Sequence, residues 1–238
     1  MTESLALGPM TLGIETATSQ IGVAVGGAGE AMAAIQIDRG RRHGELLAPS
    51  IQALLRLANV HIKDVERVAV DNGPGLFTGL RVGLATAKAL ASALGVQVVP
   101  CSSLDLLAHV HRAAGRTVAA VVDAKRGEVF WALYIPGGDG MVATTEARVT
   151  CPEELSRVAG QAVSAGGALI ATGDGARRYA DLLQSVEGVQ LAGPEHDHPS
   201  AAVLVELAAT RAALSPDKIN AEYLRGPDVR IGWEQRDE

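Results

Sequence analysis

Aromatic residues are scarce: two Trp, three Tyr and two Phe stand among 238 residues that include 27 glycines. A core of this composition depends on close backbone approach more than on ring burial. Cysteine is scarcer still. Cys101 and Cys151 cannot make a disulfide framework and lack zinc-site spacing, and Cys101, beside an apolar stretch, reads as a small core residue. No apolar run reaches the ~20 residues of a membrane helix. The opening MTESLALGP has neither the basic nor the apolar region of a signal peptide. These absences point to a cytoplasmic chain with no membrane contact. Positive charge is also in deficit, with 21 Lys and Arg against 27 Asp and Glu, so this chain alone matches a phosphate backbone poorly. Motifs of self-sufficient catalysis are missing: there is no H-E-x-x-H, no G-x-S-x-G, and no Gly-Lys-Ser/Thr to make a Walker loop.

Histidines do not fill the gap. His43 and His61 lie too far apart to share a helix face, and His109 and His111 would point about 200° apart on a helix. His196 and His198 flank Asp197 before Pro199, and they read better as a polar loop than as metal ligands.

What is present is order. After a tail at residues 1–9 come strands near Met10–Glu15, Ile21–Val25 and Ala31–Ile37, with a glycine hairpin turn at Gly26–Gly29. A helix from His43 to Ala58 carries Leu47, Ile51, Leu54 and Leu55 on one face. A strand at Val65–Asp71 leads through a Gly/Pro turn into a helix from Thr78 to Leu94, striped by Leu80, Leu84, Ala87, Ala91 and Leu94. A strand at Val96–Val99 and a helix from Ser102 to Arg112 complete the unit. The second half repeats it: strands at Thr117–Asp123, Glu128–Ile135 and Met141–Val149, a helix at Pro152–Gln161, and a strand at Ala168–Ala171. Gly173-Asp174-Gly175 then opens a helix at Ala176–Ser185, followed by a strand at Val189–Leu191 and an apolar helix at Ser200–Leu214. The pattern predicts an α/β protein of two similar lobes, each a mixed β-sheet with flanking helices, spanning 10–113 and 114–214. Residues 215–238 form a C-terminal segment expected to pack back on the first lobe and to end in disorder.

Two kinds of feature could carry chemistry. The first is the turn Asp71-Asn72-Gly73-Pro74-Gly75-Leu76-Phe77-Thr78-Gly79-Leu80-Arg81, a strand end, a tight turn and a helix N-terminus. It could cradle an anion, or its glycines could serve close helix–sheet packing. The second is a pair of strand-end acids, Glu15 and Asp123. Set in a cleft with Gly173 and Gly175, they could face a metal-bound nucleotide, or they could be solvated or ion-paired acids at turns. Lys125, Arg126 and Glu128 crowd the second of these turns.

Four segments in order, GIETATSQIGVAV (Gly13–Val25), GPGLFTGLRVG (Gly73–Gly83), DAKRGEVF (Asp123–Phe130) and AEYLR (Ala221–Arg225), resemble the bacterial TsaB (YeaZ) family of tRNA threonylcarbamoyladenosine biosynthesis. The resemblance runs from about Met10 to Arg225. It implies a duplicated actin/hexokinase/Hsp70-like (ASKHA) fold. It also implies a non-catalytic subunit that pairs with the paralogue TsaD and supports threonylcarbamoyl transfer to the adenosine 3′ of the anticodon. The ATPase TsaE would join a ternary complex, tRNA would be met only through the complex, and the chain alone would be a homodimer. No intrinsic cofactor is implied, and ATP or ADP would enter only at the assembled interface. Where the catalytic paralogue carries two metal-binding histidines, this chain has Ser103 and Leu107, which cannot replace two imidazoles. Glu15 stands where many relatives carry Asp. Family members pack the helices matching His43–Ala58 and Thr78–Leu94 against the partner, which nominates Leu47, Ile51, Leu54, Leu80, Arg81, Leu84, Ala87 and Lys88 as interface residues. A small-molecule kinase or ATPase of the same superfold is the alternative. A glycoprotease finds no nucleophile–base pair to support it.

Overall fold

The computed structural model describes residues 8–38, 42–138 and 140–225. Residues 1–7 of the expected tail, residues 39–41, residue 139 and the end 226–238 lie outside them. The first lobe runs β1 (Thr11–Glu15), β2 (Gln20–Gly27), β3 (Glu30–Asp38), α1 (His43–Leu57), β4 (Arg67–Gly73), α2 (Phe77–Leu94), β5 (Gln97–Ser102) and α3 (Ser103–His109). The second runs β6 (Thr117–Lys125), β7 (Glu128–Gly137), β8 (Gly140–Ala143), β9 (Arg148–Thr150), α4 (Pro152–Gly166), β10 (Leu169–Thr172), α5 (Asp174–Arg178), α6 (Ala180–Gln184), β11 (Val189–Leu191) and α7 (Ala201–Ala208). Strand orders β3-β2-β1-β4-β5 and β8-β7-β6-β10-β11 are the same plan used twice, with β9 added beside β7. In each lobe an antiparallel meander supplies three strands and parallel crossovers the other two.

The period-2 pattern of β1 explains its surroundings. Leu12 and Ile14 point to one face, where they pack with Leu47, Ile51 and Leu54 of α1 and with Leu84, Ala87 and Ala91 of α2. The opposite face carries small residues. Gly13 and Gly22 lie against α7, which also packs on Ala24, Ala69 and Val99. Both faces are therefore covered, and β1 is buried along its whole length.

The terminal helices of the two halves are exchanged. α3 follows the first sheet, yet Leu104, Leu107 and Ala108 enter the core of the second with Val118, Ala120 and Val122. α7 follows the second sheet and covers the first. The boundary at residue 113 divides the sheets but not the cores. The C-terminal segment continues the link: Ile219 joins the first core, Leu224 the second, and Glu222 donates its backbone N–H to the Asn72 carbonyl at 2.8 Å.

Several elements differ from expectation. α7 stops at Ala208, because the Arg67 guanidinium takes the Ala208 carbonyl at 2.7 Å and Leu214 has left the helix to pair with Val98. The strand expected over Met141–Val149 is two strands, β8 and β9. Between them, Thr144 and Thr145 turn back and hydrogen-bond the Leu133 backbone. The helix expected over Ala176–Ser185 is broken at Tyr179 into α5 and α6. α4 runs on to Gly166.

The interface reading of the helix stripes needs correction. Leu47, Ile51, Leu54, Leu80, Leu84 and Ala87 are at most 7% exposed and belong to this chain's own core, so they are closed to a partner. A stripe that faces a sheet has the same spacing as one that faces another subunit. Arg81 is exposed and Lys88 half-buried. Leu84→Asp would place a charge in this core and should lower unfolding free energy by about 4 kcal/mol or more. Arg81→Glu should leave it within about 0.5 kcal/mol. Urea denaturation of the two variants checks both.

Candidate functional site

Three acids close three strands by the same device. Glu15 ends β1 and accepts from the Ala17 N–H at 2.7 Å; Asp71, in β4, accepts from the Gly73 N–H at 2.8 Å; Asp123, in β6, accepts from the Lys125 N–H at 2.8 Å. Each carboxylate caps the turn two residues on, as short acids do at strand ends. Their surroundings then diverge. Asp123 pairs with the Lys125 ammonium at 2.7 Å and lies 3.7 Å from the Arg178 guanidinium. Glu15 and Asp71 are wholly buried with no cation bonded to either. Burial, reinforced by the Asp71 charge, holds the Glu15 carboxyl well above the usual range, and burial pushes Asp71 up to about 7.

The glycine motif resolves into packing. The loop Thr16–Thr18 lies across the first turns of α2 and is fully buried. A Cβ on Gly75 would collide with the Ala17 backbone, one on Gly79 with the Thr16 carbonyl, and one on Gly83 with the Thr16 hydroxyl. Three bonds pin the loop: Leu76 N–H to the Ala17 carbonyl at 2.7 Å, the Thr16 hydroxyl to the Gly79 carbonyl at 2.9 Å, and His43 Nε2 to the Thr18 carbonyl at 2.9 Å. The helix end that could have received an anion is covered by the chain's own loop. Gly73 takes φ +110° and precedes Pro74 through a cis peptide bond, while Thr78 is exposed at the helix start.

The second lobe repeats the closure. A Cβ on Gly173 would collide with the Val121 carbonyl, and one on Gly175 with the Val122–Asp123 backbone. Both glycines are buried. Glu15, Asp123, Gly173 and Gly175, expected to line a nucleotide cleft, therefore do not suit a metal-bound phosphate. The first acid is sealed, the second is neutralised by cations, and the glycines are spent on contact with β6. Among the described residues no group of three or more His, Cys, Asp or Glu could hold a metal ion. Ser103, at one of the two positions where the resemblance implied lost histidines, donates its hydroxyl to Asp71 at 2.7 Å. Leu107, at the other, packs in the second core against Gly173.

Sequence reading missed two juxtapositions. Phe77 and Tyr223, about half exposed, stack with ring centroids 5.6 Å apart, and the Arg81 guanidinium lies 3.7 Å over the Phe77 ring. Phe77 and Arg81 stand four apart on α2, a legible spacing, but Tyr223 arrives from 142 residues away. His111 and His196 meet edge to face at 4.9 Å, with His111 Nε2 3.1 Å from the Thr172 hydroxyl. Burial and the neighbouring His196 lower the His111 pKa.

Comparison with known proteins gives these features a family context. A family model described as TsaD: tRNA N6-adenosine threonylcarbamoyltransferase matches residues 37–169. An uncharacterized protein of Mycobacterium tuberculosis is 34% identical over 193 residues, 80% of this chain and 78% of its own length. The tRNA threonylcarbamoyladenosine biosynthesis protein TsaB of Escherichia coli is 30% identical over 230 residues, covering 94% of this chain and 96% of its own. The solved structure of YeaZ from Pseudomonas aeruginosa superposes with a TM-score of 0.78 at 27% identity, over 91% of this chain and all of the other.

The packing role of the glycines has a direct check. Gly79→Ala drives a methyl into the Thr16 carbonyl and should lower stability by about 1–3 kcal/mol. Gly44→Ala, on α1 with nothing within 4 Å of the added carbon, should be neutral or stabilising. Thermal unfolding of the pair gives the contrast.

Proposed function

The chain belongs to the TsaB/YeaZ family of tRNA threonylcarbamoyladenosine biosynthesis, and we propose that it works there as a non-catalytic scaffold that binds and activates a TsaD-type transferase. The reaction served is threonylcarbamoyl transfer to the adenosine 3′ of the anticodon, in the cytoplasm. One observation carries this reading. The places where the sequence alone left room for an anion, a nucleotide or a metal are here filled by the chain itself: Thr16 and Ala17 against α2, Val121–Asp123 against Gly173 and Gly175, and Leu107 in the core. The same closure argues against a kinase or ATPase.

A scaffold needs a surface instead of a cleft. The outward sides of α1 and α2 carry Ala48, Gln52, Ala85 and Ala89, small or uncharged residues that admit close approach of another helix. At the end of that face stands the Phe77–Arg81–Tyr223 cluster, an aromatic and guanidinium group of the kind that dominates binding energy. We assign the TsaD-type partner to this face, and the same face to a homodimer when the partner is absent. TsaE would join the assembled pair, tRNA would be held by the complex, and ATP or ADP would enter only at its interface. The net charge of −6 accords with leaving tRNA contact to other subunits.

Light scattering after size exclusion, with the TsaD-like protein of the same organism, tests the assignment. The expected result is a one-to-one complex that forms at the expense of any homodimer. Phe77→Ala and Arg81→Glu should weaken it at least tenfold, with thermal unfolding of the free chain nearly unchanged. Two folded proteins that show no complex would refute the scaffold reading. Wild-type affinity in both variants would refute the face.

A further inference from the structure

β1 and β4 are parallel neighbours, with Ile14 opposite Val70. Glu15 and Asp71 are the next residues in that register, so they stand side by side on strands about 4.8 Å apart and point to the same face. That face is closed by α7 over Gly13 and Gly22 and by α3 at Ser103. Neither carboxyl has any exposed surface.

Each carboxyl is half satisfied. Glu15 Oε1 accepts from the Ala17 N–H, and Asp71 Oδ1 accepts from the Gly73 N–H and the Ser103 hydroxyl, whose O···O distance is 2.7 Å. The second oxygen of each, Glu15 Oε2 and Asp71 Oδ2, is buried without a partner. The charged side chains that bear most on the pair are all acids: Asp174 from α5, Asp105 from α3 and Glu222 from the C-terminal segment. Nearby cations are engaged elsewhere, Arg211 with Asp105 at 2.7 Å and Lys125 and Arg178 with Asp123. Two adjacent buried carboxylates, with no cation bonded to either among the described residues, resist ionising together until the pH is well above the usual carboxylate range.

We propose that Glu15 and Asp71 hold one proton between them in the folded chain, carried on Glu15 and directed at Asp71, so that the junction of the lobes is a built-in proton site. The proton belongs on Glu15 because the Asp71 anion is held by the Ser103 hydroxyl as well as by a backbone N–H, whereas Glu15 is met by backbone N–H groups alone, those of Ala17 and Thr18. It supplies the missing donor between two orphaned oxygens, and it needs no metal.

Folding is thereby linked to pH. The folded pair titrates above the unfolded carboxylate range of about 4. The folded chain therefore binds more protons than the unfolded one across that window. The stabilisation is complete below about pH 4 and is lost as pH rises through the folded values. Asp71 completes its loss near pH 7, and Glu15 is likewise raised well above the usual carboxylate range, both chiefly by burial.

Carboxyl-carbon NMR of the full-length chain labelled at Glu and Asp, titrated from pH 5 to 9 in metal-free buffer, reads the site directly. One Glu resonance should remain in the protonated position at pH 7 and be absent in Glu15→Gln. The urea midpoint of Glu15→Gln, whose amide can donate to Asp71 at every pH, should fall less than wild type between pH 5.5 and 8.5. If that variant does not fold, Asp71→Asn serves: it removes the neighbouring charge, and the Glu15 titration should move down by a unit or more. The proposal is overturned if Glu15 is ionised at pH 7. It is also overturned if Asp71→Asn leaves its titration in place, or if added Mg²⁺ or Na⁺ ionises and stabilises the pair, since the occupant would then be a metal cation.

Discussion

The contact between the Thr16–Thr18 loop and the first turns of α2 governs the rest of this molecule. Gly75 and Gly79 meet the loop's backbone there and Gly83 its Thr16 hydroxyl, distances that only glycine permits. That contact brings α2 down on β1 and β4, sets Phe77 and Arg81 at the outer rim, and leaves no room for a ligand at the helix end. Gly173 and Gly175 do the same for α5 and β6. A motif that elsewhere could open a binding loop has here become a pair of rivets. The proposed scaffold role rests on that packing more than on the identity of any one side chain.

The second organising feature is the exchange of α3 and α7. α7 buries its apolar face on the first sheet, and α3 sends Leu104, Leu107 and Ala108 into the second core while Leu106 stays with Ala69 and Val99 of the first, so neither half completes its own core. The exchange also concentrates polar groups at the junction. Asp105 on α3 receives the Tyr134 hydroxyl from β7 at 2.7 Å and the Arg211 guanidinium from the segment after α7 at 2.7 Å. Ser103 on the same helix reaches back to Asp71 in the first sheet. A helix of seven residues thus carries bonds to both lobes.

The duplicated plan was legible in the sequence because it is written in local periods: alternation in the strands, 3.6-residue stripes in the helices, glycines at the turns. Where the reading erred, non-local partners decided. The stripe of Leu80 and Leu84 was visible, but whether it faces a sheet or a subunit depends on where β1 comes to lie. Helix α7 was expected to run to Leu214, since apolar periodicity continues; Arg67, from β4, ends it. The strand-end acids were recognised in part. Glu15 and Asp123 were singled out, but Asp71, hidden within the glycine motif, was not paired with Glu15. Only the register of β1 on β4 shows that they are neighbours. A local signal for this existed in the capping pattern, since Glu15, Asp71 and Asp123 each follow an apolar run and accept from the backbone N–H two residues on.

The C-terminal segment has a mechanical meaning. Ile219 is seated in one core and Leu224 in the other, five residues apart, while Arg225 bonds the Ala124 carbonyl and pairs with Glu128. A tether that short, anchored at both ends, leaves no slack for the lobes to swing apart. Two-lobed proteins that work by opening and closing need a loose hinge. Here the segment bridges both cores, so the halves should melt and exchange their amides as a single cooperative unit.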